Sequence, residues 1–196
     1  MNAPTDGRTL RRTRNRDSVI NALLELIREG NLHPGAAQIA ERAGVSHRSV
    51  FRYFDDLDDL TRTALRQDFQ AAQPLIEITD IGEGTLEERV ARLVEARLAL
   101  YTHIRGTALV LREKAGSMPD MDAELVNMYM YYREQLRQQF AAELTAWSQT
   151  ESEHIVDACI VLTSFDSYDV HQRLLGHDSE SINTSWNTSL VALLSS

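Results

Sequence analysis

The chain has little that would tie it covalently or turn it sharply. Cys159 is its one cysteine among 196 residues, so no disulfide can form within it, and that usage suits a reducing compartment. Four prolines and nine glycines are too few for the many tight turns of an all-β protein. No apolar run approaches the ~18 residues of a membrane span. The first arginines are not followed by an apolar segment, which argues against a secretory leader. A cytoplasmic protein with no membrane partner is therefore expected. Lysine is scarce too: apart from Lys114, the side chains that are basic at neutral pH are all arginine.

Catalytic signatures are also missing. There is no glycine-rich phosphate loop, no nucleophile elbow and no HExxH. The six histidines, His33, His47, His103, His154, His171 and His177, form no pair at metal-ligand spacing. Asp166, Asp169 and His171 are close in sequence but point in different helical directions. Cys159 lies on an apolar face and reads as a packed thiol. No enzyme, no metal and no cofactor is expected.

What is present is helical. At 43% hydrophobic the chain can bury a sizeable core, and its apolar residues recur at steps of three and four. The expected fold is all-α. The charge is divided: residues 1–53 carry a balance of +4 and residues 54–196 one of −13, within a net −9. A basic head on an acidic body would be steered head-first toward a polyanion.

The most informative stretch is Gln38 to Phe54. Ile39, Ala40 and Ala43 make one apolar face. Gly44 can take the left-handed angle that ends a helix. Val45 plugs the corner, and Ser46 can cap a second helix. Val50 and Phe54 are four apart and face inward. His47, Arg48, Ser49, Arg52 and Tyr53 are left pointing away, a set suited to a DNA major groove.

These residues carry a resemblance. The run Ile39–Leu60 resembles the helix-turn-helix of the tetracycline-repressor (TetR) family of bacterial regulators, and Thr13–Gly30 resembles that family's first helix. The rest of the chain is similar only in size, helical character and its last two helices. The resemblance implies an N-terminal three-helix DNA-binding domain, residues 1–54, and a helical ligand-binding and dimerisation domain, residues 55–196. It implies a homodimer on a double-stranded DNA operator, a repressor released by a small-molecule effector. The alternative is a DNA-binding protein of the same fold with a structural or protein-partner role and no ligand. The DNA-contacting set is Arg12, Ser46, His47, Arg48, Ser49, Phe51, Arg52 and Tyr53.

Four positions depart from the family's pattern. Pro34 and Gly35 stand where a hydroxyl residue usually caps the second helix. Phe51 stands where a phosphate-bonding tyrosine is common, a duty Tyr53 could take. Leu57 stands where a lysine is common, inside the acidic run Asp55-Asp56-Leu57-Asp58-Asp59.

Residues 1–12, with Arg8, Arg11 and Arg12, read as a polar arm that reaches the minor groove or phosphates, or as a solvated tail; both readings stay open. Helices are expected over about 13–29, 36–43, 47–53 and 57–73, with a linker over 74–84. A capping box at Thr85 and Glu88 opens a further helix, and a short one over 106–114 follows. A long helix is expected over about 119–147. Thr150 and Glu153 make a second capping box, before a helix to Leu175, and a last helix covers about 180–194.

The long helix is dense in methionine and aromatics, which ordinarily means core packing. Its apolar faces are wider than one core stripe needs, however, and the resemblance implies a ligand pocket nearby. Tyr101, Met128, Tyr132, Phe140, Phe165 and Tyr168 are the expected lining. Ile182, Trp186, Leu190 and Leu193 form a stripe on the last helix. They are the expected dimer contacts, because a single recognition helix reads too few base pairs for a unique site.

Overall fold

The computed structural model describes residues 7–195, and every regular element in them is helical. The elements are α1 (Gly7–Arg28), α2 (Ala36–Ala43), α3 (His47–Tyr53) and α4 (Leu57–Ala72), which runs into a 3₁₀ turn at Gln73–Leu75. Then come α5 (Leu86–Glu113), α6 (Pro119–Gln139) and a single turn, α7 (Ala141–Leu144). The chain ends with α8 (Gln149–Leu162), α9 (Phe165–Asp169), which widens into a π turn at Val170–Leu174, and α10 (Ser179–Leu194). Two compact units result. The first takes the chain up to Ala71 together with Ile104–Met118, and the second takes Ala72–His103 together with Pro119 onward.

In the first unit, Val19, Leu23 and Ile27 of α1 are buried, as are Ile39 and Ala40 of α2, Val50 of α3 and Phe54 just after it. This unit is larger than the 1–54 segment that holds the helix-turn-helix. Leu60, Ala64 and Leu65 of α4 are buried too. So is Asp68, which accepts from Arg28 Nη2 at 2.6 Å and from Thr107 Oγ1 at 2.7 Å. A carboxylate at 2% exposure is tolerable only because it is paired and hydrogen-bonded. In the second unit Val90, Leu93 and Val94 of α5 are buried. Tyr132 and Leu136 of α6, Val156 and Cys159 of α8, and Ile182, Trp186 and Leu190 of α10 are buried as well.

Several boundaries differ from the sequence expectation. The first helix starts at Gly7, not Thr13. Residues 7–12 are therefore helical and not an arm, since arginine and leucine are good helix formers and no proline interrupts them. Residues 1–6 lie outside the described residues.

The expected break before 106 does not occur, and α5 is one helix. Gly106 serves a crossing, not an end: a Cβ there would lie 2.7 Å from Ile27 Cγ2 and 3.0 Å from Ile27 O. The long helix ends at Gln139, where Phe140 leaves helical angles at φ −119°, ψ 25°. At the stop the fully buried Gln139 accepts from Gly82 N at 2.9 Å and donates to Arg89 O at 2.7 Å.

The capping box of α8 lies at Ser148 and Glu151, not Thr150 and Glu153. Glu153 instead pairs with Arg133 and Arg137 of α6. That helix also stops at Leu162. Ser164 caps α9 by accepting from Ser167 N at 3.1 Å, and Tyr101 Oη donates to Thr163 O at 2.8 Å. A carbonyl at the break is thus satisfied from α5.

Gly106→Ala is expected to destabilise the protein by about 1–3 kcal/mol through overpacking against Ile27. The helix-propensity gain of about 1 kcal/mol opposes this and is too small to cancel the upper range. Urea unfolding measures the balance, and a more stable variant would show that Ile27 yields.

Candidate nucleic-acid interface

The helix-turn-helix is built by backbone chemistry that its sequence dictates. Gly44 takes φ 65°, ψ 32°. Its N–H donates to Glu41 O and the Val45 N–H to Ala40 O, at 3.1 and 3.0 Å. This pair closes the end of α2, and it needs the left-handed angle that glycine adopts without strain. Ser46 then starts α3: its Oγ accepts from Ser49 N at 3.2 Å. At the start of α2 the hydroxyl cap is replaced by Gln38, whose Oε1 accepts from Gly35 N at 2.9 Å. Arg42 grips Glu29 with both terminal nitrogens at 2.8 Å, tying α2 to α1. The bond holds the Glu29 carboxyl below its ordinary range, although solvent screens the pair.

This frame turns the predicted residues outward. Ser46, His47, Arg48 and Arg52 are exposed, and Ser49 and Tyr53 are half-buried. Among the described residues Arg48 has no hydrogen-bond or ion-pair partner. Phe51 is 45% exposed, and its ring meets the His47 ring edge-on at 5.1 Å. Arg52 is already engaged: its Nη2 donates to Tyr53 Oη at 2.7 Å, with the guanidinium 4.9 Å from the Tyr53 ring. Burial raises the Tyr53 phenol, but the Arg52 and Asn15 bonds and the Arg52 and Arg12 charges outweigh it and leave it below its ordinary value. Arg12 is exposed on α1, and Arg16 of the same helix lies 4.9 Å from the Phe54 ring. A cationic ridge along α1 and α3 results, with donors for phosphate and base edges.

Sequence reasoning missed one member of this region. Lys114, at the end of α5, donates to Asp58 Oδ1 at 2.6 Å. The acidic start of α4 therefore has a base beside it, supplied by the fold across 56 positions. Leu57 itself is half-buried, and Asp56 caps α4 by accepting from Asp59 N at 2.7 Å.

In the second unit the expected ligand residues divide. Tyr101 and Tyr132 share a narrow gap with Arg97, Tyr129, Leu136, Ile160 and Thr163, too tight for a water molecule. Met128, Phe140, Phe165 and Tyr168 are not among its lining. Phe140 and Tyr168 are core residues at 1% exposure; Met128 and Phe165 are half-buried. Phe165 and Tyr168 pack on Tyr101, at 5.8 and 5.7 Å between ring centroids. Burial pushes the Tyr101 phenol well above its ordinary range and the Cys159 thiol up to about 12, which leaves that thiol inert.

The expected dimer stripe needs correction. Ile182, Trp186 and Leu190 have no exposure within a single chain. Trp186 lies edge-on to Tyr101 and His171, at 6.4 and 6.3 Å. These three fill the unit's own core and offer nothing to a second subunit; Leu193 is half-buried.

No family model matches the chain. It is similar to the HTH-type transcriptional repressor LfrR of Mycolicibacterium smegmatis (strain ATCC 700084 / mc(2)155), at 32% identity over 91 residues. That match takes in 45% of this chain and spans about half (47%) of the relative's length. The fold is that of a crystallised transcriptional regulator from Rhodococcus sp. Rha1. The two share a TM-score of 0.70 at 17% identity, over 92% of this chain and 96% of that one.

Removal of the Ser46 hydroxyl should be felt mainly at the start of α3. Ser46→Ala is expected to lower stability by about 1 kcal/mol, the ordinary worth of such a cap. Thermal melting checks this. An unchanged melting temperature would mean that solvent replaces the cap.

Proposed function

We propose that this protein is a sequence-specific double-stranded-DNA-binding transcriptional regulator of the TetR kind, a homodimeric repressor released by a small-molecule effector. The observation that carries the proposal is the α2–turn–α3 geometry, with a capped recognition helix presenting the exposed Arg48, unpaired among the described residues, beside His47 and Ser49. The likeness to a named repressor and to the fold of a regulator supports the reading. In function the division lies after residue 54, with residues 1–54 reading DNA and 55–196 binding effector and partner subunit. Two copies of α3 would enter adjacent major grooves about 34–36 Å apart.

Arg48 is the principal base reader in this proposal. Arg52, held by Tyr53, is the second base reader, with His47 and Ser49 assisting. Selection from a random DNA library by the purified protein should enrich a palindromic site. Arg48→Ala should then relax preference at one position per half-site by about 1–3 kcal/mol. Enrichment of no site would overturn the proposal, and uniform weakening on all sequences would make Arg48 a phosphate contact.

The dimer is proposed to form on the outward faces of α8 and α10, opposite the Trp186 stripe. Val161 is 70% exposed and Ala158 is exposed on α8. Ser181, Thr184 and Thr188 make a narrow, exposed row on α10 that another helix could approach closely. Val161→Glu is expected to give monomers in sedimentation with little change in melting. Trp186→Glu should instead lower melting, because it buries a charge in the core. Dimers that survive Val161→Glu would move the interface elsewhere.

A specific observation favours a second reading, a regulator of the same fold without effector: the gap between Tyr101 and Tyr132 is closed to water. Mass spectrometry of protein equilibrated with a metabolite extract separates the two.

A further inference from the structure

Arg97 is the anomaly of the second unit. It is 1% exposed, yet it makes no ion pair among the described residues. Its Nη2 donates to Gln135 Oε1 at 3.0 Å, and the Gln135 amide is held the right way round by donating to Ile76 O at 2.8 Å. The guanidinium lies 3.8 Å from the centre of the Tyr132 ring. Among the described residues Nη1 has no partner, and neither has the buried Tyr132 hydroxyl. A neutral amide and a ring face offset only part of the cost of burying a cation. The neighbouring Arg89, also buried, is treated differently: it pairs with Glu143.

The two unsatisfied atoms belong to residues that line the same gap. A guanidinium N–H donates, and so does a phenol that burial keeps protonated; its value is pushed up to about 12, despite the Arg97 charge. Two donors without an acceptor, on residues that line one gap, ask for an anion. Tyr101, Tyr129 and Tyr132 surround them with ring surface, and the first is fixed by its bond to Thr163 O. Tyr129 is half-buried, the most exposed of the three rings, so the gap meets solvent on its side. Asp166, whose charge acts on Tyr101 and Tyr129, works against an anion, but its side chain is exposed and therefore screened.

We propose that Arg97 and Tyr132 form the recognition point for a small aromatic carboxylate, the carboxylate oxygens taking Arg97 Nη1 and the Tyr132 hydroxyl and the ring stacking among the tyrosines. The proposal rests on reading the second unit as effector-binding and gives that effector a chemical class. The test needs no DNA, so its failure would leave the reading of the first unit standing, and failed DNA binding would not touch it.

Trp186, edge-on to Tyr101, is the reporter once Trp147 is replaced by Phe. Benzoate, phenylacetate and salicylate are titrated beside their neutral amides, following Trp186 fluorescence and melting temperature. At least one acid should bind saturably and about tenfold or more tighter than its amide, the expected gain of a charge-assisted bond. Arg97→Met should abolish that binding, and Tyr132→Phe should weaken it by about three- to tenfold. If Arg97→Met does not fold, Arg97→Lys, which keeps the charge and loses the planar fork, should weaken binding by about tenfold. The proposal is overturned if none of the three acids saturates, if acid and amide bind alike, or if the Arg97 variants bind as the parent does.

Discussion

The buried Asp68 carboxylate is the constraint on which the first unit turns. Arg28 from α1 and Thr107 from α5 both bond it, so one side chain of α4 fixes two other helices. The adjacent residues carry the apolar half of the same junction. Ile27 precedes Arg28 and Gly106 precedes Thr107, and Ile27 occupies the space a Gly106 side chain would need. Polar tie and close packing therefore share one register, and a slip in either would break both. The carboxylate is buried while the Arg28 side chain is 48% exposed, so solvent screens part of the ion pair and the Thr107 bond is the fully buried share of the tie. The helix-turn-helix is built on the same α1.

Exposure on α3 follows from which of its residues the core takes. Val50 and Phe54 are held in the core, so the helical repeat leaves His47, Arg48 and Phe51 no choice but solvent. The face is not uniformly free, however. Arg52 is held against Tyr53, which keeps its charge at the surface while limiting its reach. Lys114 offsets one acid at the start of α4. A cationic face and an acidic helix start thus coexist within one small unit.

The second unit handles buried polarity in two ways. Where charge is matched, as between Arg89 and Glu143, or neutral, as at Gln139, the groups lock segments together. Where it is unmatched, as at Arg97, the same low-dielectric interior makes the site costly. That contrast within a few turns of α5 separates structural polarity from polarity that requires another explanation.

The sequence by itself determined the local structure of the helix-turn-helix. Gly44, Ser46 and the spacing of Ile39, Val50 and Phe54 act through backbone angles, caps and periodicity, all of which are short-range. For the same reason the Thr85–Glu88 box was legible, and the start of the last helix nearly so. Tertiary structure decided the rest. Gly106 reads as a break until Ile27 is seen to need its space. Two overlapping capping boxes compete near α8, and ion pairs from α6 claim Glu153. The Ile182–Trp186–Leu190 stripe has the same spacing whether it faces a second subunit or its own core. Only the packing of Tyr101 and His171 against Trp186 decides for the core, because periodicity reports that a face is buried and not what buries it.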